Sequence, residues 1–447
     1  MPETPVPDPS PRMTEAEAPA IPTGRMAILF MVMLISAAGN TAMQSVLPAI
    51  GTQLGVADYW ISAAFTWSAL LWVITAPRWA RLSDRRGRKA LMTLGVTAFS
   101  ISMLCCGLVL FAGLNGLMTG GVTLIVFALF RSIFGGFGSA APPAVQAYVA
   151  ARTDREQRTR SLSLIASSFG LGTIIGPFLA PFFILPVVED AGPMLVFAAI
   201  GFVVIAALRF RLPSDDPRFA TRSFASSEPF ASAAPSSLTA DPGGTVERTR
   251  LRWLDPRIRN WLAVGLVGGH AQAILSFVAG FLVLDRLGLR AAPTSAYEPT
   301  ALVLTVGAAA TLIAQWGIIP MLHMGPRACI LSGMGFIAGG ALMMGAADSL
   351  YEICAGFGIA SLGFALFRPG FTAGASLAVD PEDQGAVAGM VASVNGAAFI
   401  LGPSFGVYIY NQNSWSVFIL AAAIAAAVFV WGWATLRVEG APNHRSS

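Results

Sequence analysis

Runs of about twenty consecutive apolar residues recur along most of this chain, and nothing else in it restricts the fold so strongly. "LMTLGVTAFSISMLCCGLVLFAGL" over 91–114 is one of them. At 1.5 Å per residue such a run crosses a hydrocarbon core of about 30 Å as a helix. The composition agrees: 55% of residues are hydrophobic and 12% charged, against roughly twice that charge in an ordinary soluble domain. Mean hydropathy is +0.66. The expected class is an all-α membrane protein.

Twelve spans are predicted, beginning near Met26, Tyr59, Ala90, Gly120, Leu162, Pro193, Asn260, Pro299, Ala328, Tyr351, Gly385 and Trp415. The connections between them alternate in charge. One holds Arg78, Arg81, Arg85, Arg86, Arg88 and Lys89, and another holds Arg152, Arg155, Arg158 and Arg160. "GTQLGVAD", "GLNGLMTG" and "VVEDAG" carry no cation. Cationic loops stay in the cytoplasm, so both termini are expected there, with the chain in a bacterial inner membrane. The stretch 210–256 is rich in Ser, Pro, Ala and Asp, as a flexible cytoplasmic linker is. It divides the chain into a tail at 1–25, a six-helix bundle at 26–209, a second bundle at 257–437 and a tail at 438–447. The Pro-, Glu- and Ala-rich opening has no apolar stripe and reads as a disordered tail, unlike the basic start of a cleaved signal peptide.

The formal net charge of +4 points to topology rather than to nucleic acid, because most of the arginines stand between apolar runs. Cysteines at 105, 106, 329 and 354 have neither metal-ligand spacing nor the pattern of a disulfide framework. With no phosphate-binding loop and no paired carboxylates inside a span, an enzyme is not expected, nor are a metal and a cofactor. The expected partners are a small-molecule substrate, the lipid bilayer and protons, and the chain is expected to be a monomer.

The two halves echo each other. "ALFRSIFGGFGSA" at 128–140 returns as "ALFRPGFTAGASL" at 365–377, and the Gly-Pro pairs at 176–177 and 402–403 lie 226 residues apart. A six-helix unit used twice is a transporter architecture whose substrate site lies between the halves near the midplane. With "ARLSDRRGRK" between the second and third spans, "LFRSIFGGFGSAA" in the fourth and "GLGTIIGP" in the fifth, the chain resembles the major facilitator superfamily, in particular its twelve-span drug/proton antiporter branch. The resemblance runs from about 26 to 437 and implies two six-helix pseudo-repeats and export by alternating access. There are departures. Ala80 replaces the opening glycine of the loop motif, Ala180 and Pro181 stand where glycines are usual, and the 8–9 loop lacks its acid. Ser36, twelve residues before Pro48, occupies the place of the aspartate of tetracycline exporters.

The resemblance implies that Asp84, with Arg85, Gly87 and Arg88, latches the halves together on the cytoplasmic side in the outward-facing state; the plainer reading is a solvated ion pair. Arg131 lies about eleven residues into its span, where insertion costs about 2.5–3.5 kcal/mol, so it faces a partner or a wet cavity. It is a candidate for substrate or proton handling, or else caps carbonyls inside the bundle. Arg368 is its repeat mate. Asn40 and Gln44 share a helix face and either line the cavity or bond between helices. His270, inside the seventh span, is either a titrating group or a satisfied core histidine. Gly172, Gly176, Pro177, Gly402 and Pro403 form close-packing seams, which the resemblance implies guard against leak. No Asp or Glu falls in the middle of any span. That weakens proton antiport, disfavours organic cations and favours neutral or anionic amphiphiles, with uptake or uncoupled diffusion of a metabolite as the alternative. A receptor or enzyme on the same scaffold is a remote one.

Overall fold

The computed structural model describes residues 21–150, 152–153, 155–213, 252–379 and 383–436. Twelve helical passages follow one another. The first six are Thr23–Gln53, Asp58–Arg86, Arg88–Leu114, Gly120–Phe137, Arg155–Leu179 and Gly192–Arg211. The fourth continues through a tight turn at Gly138–Ala140 into Ala141–Ala150. The other six are Arg259–Arg286, Tyr297–Leu312, Pro326–Ala346, Leu350–Leu377, Gln384–Gln412 and Ser414–Thr435. The eighth extends through a π-helical stretch, Ile313–Ile318, to Leu322. Ten helices among the described residues are long and apolar enough to cross a membrane; a shorter apolar stretch, Ser167–Phe183, belongs to the fifth passage. The fifth helix starts seven residues before the predicted position, because its polar opening turns "REQRTRS" are helical too. The predicted tails and most of the 210–256 linker lie outside the described residues.

An even number of passages places Thr23 and Thr435 at one end of the bundle, called here the termini end; the opposite end is the far end. Trp60, Phe178, Phe182 and Trp415 are exposed at the far end, and Phe210, Trp253 and Trp433 at the termini end. The tryptophan rings among them favour the headgroup level.

Helices pack closely where glycines let backbones meet. A methyl on Gly363 would stand 2.5 Å from the Gly333 carbonyl oxygen, locking the ninth and tenth spans together. Gly172 and Gly176 lie against the carbonyl oxygens of Leu34 and Ala38 in the first span. In the second half Gly402 lies against Ala273 of the seventh span. Pro177, Pro369 and Pro403 all sit inside helices that continue through them. The tight connection between the second and third spans is Gly87 alone, at φ 88°, a conformation open to glycine and strained for other residues.

Candidate functional site

The two halves touch in the middle of the bundle and at its far end. Thr66 and Ser404 hydroxyls are 2.8 Å apart between the second and eleventh spans. Phe65 meets Phe277 edge-on at 5.2 Å, and Pro48 fits against Gly280. Gln44 donates from the first span to the Ser276 carbonyl of the seventh at 3.2 Å. Val73 against Gly396 and Leu312 against Gly170 lie nearer the middle.

The strongest cross-half contact is ionic. Arg290 stands in the turn Leu289–Ala291, entered through Gly288 at φ 66°. Its two terminal nitrogens donate to both carboxylate oxygens of Asp58, at 2.9 and 2.7 Å. The same guanidinium donates through Nε to Asp285 at 2.6 Å, and Asp285 also accepts from the Tyr410 hydroxyl at 2.6 Å. Burial alone would pull Arg290 down, but hydrogen bonds and charge from Asp58 and Asp285 hold it well above the ordinary arginine range. Beside this cluster, Gln53 donates to Asp190 at 2.8 Å and to the Tyr297 hydroxyl at 3.0 Å, a second clasp between halves.

From Gln44 toward the termini end, half-buried polar side chains continue along the first span. On the first span Ser36, Asn40 and Gln44, spaced by four, form one half-buried stripe. On the seventh span His270 lies seven residues before Phe277, hence on the same face. His270 is half-buried, and Leu266, one turn further, is exposed. The Nδ1 of His270 is 2.7 Å from the Leu266 carbonyl oxygen. A carbonyl only accepts, so Nδ1 carries the proton in that bond and Nε2 stays free for another partner.

The repeat-mate arginines differ. Arg131 is 2% exposed, donates to the Asn40 side-chain oxygen and lies over the rings of Phe65 and Phe134, at 5.2 and 4.8 Å. Its Nε and one terminal nitrogen are buried without a hydrogen-bond partner among the described residues. Arg368 is exposed although it stands inside the tenth span, and its Nε donates to the Asn395 side-chain oxygen at 3.2 Å. Sequence reasoning passed over Asn395, Asp58, Asp285 and Arg290. Arg290 and Asp285 are five residues apart, the one local signal among them; Asn395 shows none.

Gly87 breaks the helix between the second and third spans, and the following Arg88 is buried. The side chains of Asp84 and Arg85 lie outside the described residues. Among the described residues no group of three or more His, Cys, Asp or Glu side chains could hold a metal ion.

Comparison with known proteins places this geometry. A stretch of 151 residues, 33% of this chain, is 34% identical to Multidrug resistance protein 2 of Bacillus subtilis (strain 168), and covers 34% of that protein. A 157-residue stretch, 34% of this chain, is 25% identical to Multidrug resistance protein MdtG of Proteus mirabilis (strain HI4320), and covers 36% of it. The matched stretch thus spans about a third of these curated relatives. Among solved structures, the chain resembles a bacterial homolog of the human lysosomal transporter Spinster, with a TM-score of 0.68 and 13% identity, over 92% of this chain and 96% of that one. It also resembles the human organic anion transporter MFSD10 (TETRAN), with a TM-score of 0.61 and 17% identity, over 92% of this chain and 100% of that one. These two likenesses concern the fold. The sequence pattern of the Major Facilitator Superfamily matches residues 29–344 and 308–447, nearly the whole length. The chain is a multi-pass membrane protein that belongs to the Major Facilitator Superfamily.

Proposed function

We propose that this transporter exports a small amphipathic molecule, neutral or anionic, from the cytoplasm by alternating access, driven by proton antiport. The observation that carries the reading is the uneven seam. The described contacts between the halves, Gln44 to Ser276 among them, lie at the midplane and the far end, while the half-buried Ser36 and Asn40 and the exposed Leu266 and Arg368 lie nearer the termini end. A rocking pair of bundles sealed at one end and lined with polar groups toward the other is one half of an alternating-access cycle. Orientation follows from charge: at the far end the cations are Arg286 and Arg290, whereas the termini end holds the dense arginine loops. The positive-inside rule makes the termini end cytoplasmic and the sealed far end external.

The curated relatives named above are multidrug resistance proteins, which supports export over uptake. The exposed Arg368, with no acid in any span centre, favours neutral or anionic cargo over organic cations. In this reading Asp84, Arg85, Gly87 and Arg88 close the cytoplasmic side when the far end opens, and the glycine-proline seams keep each bundle tight. His270, with Nε2 free on the inner face, is the candidate proton carrier. Diffusion without protons is the second reading, favoured by the lack of any carboxylate mid-span.

Proteoliposomes holding a trapped pH dye test the coupling. Cargo-dependent pH change in the wild type, lost in His270→Ala, is the expected result. Cargo flux with no pH change would leave an uncoupled carrier.

A further inference from the structure

Arg368 is the eighteenth or so residue after the start of a helix that otherwise buries itself. Phe364, Ala365, Leu366, Phe367, Gly370 and Phe371 around it are all buried, yet Arg368 is exposed. A cation exposed to lipid there would be costly, so the direction of the side chain matters. Successive helix residues turn by about 100°. Phe367 and Phe371 fit against Gly268 and Gly265 of the seventh span. Ala365 and Leu366 cluster with Ala314 of the eighth. Arg368 projects between these two directions and meets Asn395 of the eleventh span. On that face toward the termini end, Thr372 and Ser376 are half-buried polar residues, whereas Ser361 on the other side is buried against Gly307 of the eighth span. Arg368 therefore lines the water-accessible space between the halves.

Asn395 takes the Nε proton, which fixes the plane of the guanidinium and leaves its two terminal nitrogens without a protein partner among the described residues. A planar fork with two free donors, in a confined wet site and with no carboxylate at its level, matches one ligand chemistry: a planar or tripodal anion. Its repeat mate Arg131 cannot serve, since it is enclosed and its guanidinium is packed between Phe65 and Phe134. The repeat has kept two arginines and given them different work.

Resting on the export reading above, we propose that Arg368, steadied by Asn395, anchors the anionic head group of the cargo, a monoanionic carboxylate or sulfonate on an apolar body. His270, on the adjoining wall, is a second polar contact for the same head group. The apolar body lies toward the Phe65–Phe277 roof.

The test compares pyrenebutyrate with its neutral amide on the purified full chain in discs of zwitterionic lipid, read by energy transfer from tryptophan, with empty discs as baseline. The wild type should bind the acid about 10-fold or more tightly than the amide, as a charge-assisted pair implies. Arg368→Gln should bind both alike, and Arg368→Lys should keep a reduced preference. Equal binding of acid and amide by the wild type overturns the proposal, as does an undiminished preference in Arg368→Gln. Should Arg368→Gln fail to fold, the wild-type comparison and Arg368→Lys decide, and an undiminished preference in the lysine variant counts against the fork. Vesicle flux separates this from the export reading. Export of a neutral dye without acid preference sinks the anchor and leaves the exporter; acid preference without flux leaves the anchor and ends export.

Discussion

Arg290 grips both oxygens of Asp58 across the boundary between the halves while holding Asp285 within its own half. One guanidinium thus serves two carboxylates, and only one of them has to be released when the far end opens. Arg290 is not stranded by opening, since Asp285 goes with it. This makes the contact strong enough to seal and cheap enough to break.

The two acids should therefore act with opposite sign. Asp58→Asn weakens the cross-half grip and should shift the population toward the far-end-open state about 10-fold, or roughly 1.4 kcal/mol. Asp285→Asn removes the competitor and should favour the closed state. Spin labels at Leu117 and Thr294, on a background with the four cysteines replaced, report the opening by pulsed dipolar distances. Movement of both variants in the same direction would reduce the cluster to a structural tie.

Thr66 and Ser404 offer a direct check on rocking. Their hydroxyls are 2.8 Å apart, so Thr66→Cys with Ser404→Cys should form a disulfide under mild oxidation. Flux should fall to background when it forms and return with reductant. Full flux in the cross-linked protein would mean that this seam does not open during transport.

Arg131 and Asn40 should show the asymmetry of buried polar pairs. Asn40→Ala leaves the enclosed guanidinium with no acceptor, whereas Asn40→Leu combined with Arg131→Met removes both partners. Leaving the buried donor without its acceptor costs about 1–3 kcal/mol, and replacing both partners with apolar groups is often neutral. Thermal unfolding followed by tryptophan fluorescence should put the single variant clearly below the double one. Flux in the double variant then tells whether Arg131 is needed for transport or only for packing.

Gly176 is held against the Ala38 carbonyl and the Thr41 hydroxyl of the first span. Gly176→Val should push these helices apart at a cost of about 1–3 kcal/mol, lowering the unfolding midpoint by a few degrees. A matching change at Gly136, where nothing lies within 4 Å, should leave the midpoint unmoved.

Acid should act on the Asp255–Arg257 pair without touching transport near neutrality. Hydrogen bonds from Arg257 hold the Asp255 carboxyl below its ordinary range. A carboxyl lowered in the fold contributes stability that is fully present above its unfolded value of about 3.9 and lost as pH falls below that. Unfolding scans of Asp255→Asn and wild type should differ by the same small amount from pH 5 to 8 and converge below about 4. Any pH dependence of flux between 5 and 8 should therefore survive in Asp255→Asn.

The sequence alone determined the class and the course of the chain. Apolar length against bilayer thickness, and the segregation of arginines between runs, are local properties, so twelve passages and their starts were readable within a few residues for all but the polar opening of the fifth helix. Gly176 and Gly402 were readable as packing positions because small residues a turn apart announce a close approach. What the sequence withheld is which side chains meet. Arg131 finds Asn40 from 91 residues away, Arg290 finds Asp58 from 232 residues away, and Arg368 finds Asn395 on the next helix. In a bilayer the outward face of a helix is as apolar as its buried face, so the contrast that marks the inside of a soluble helix is nearly absent. The two repeat-mate arginines stand in matching motifs. Only the packing of neighbouring spans encloses Arg131 between two phenylalanine rings and leaves Arg368 exposed.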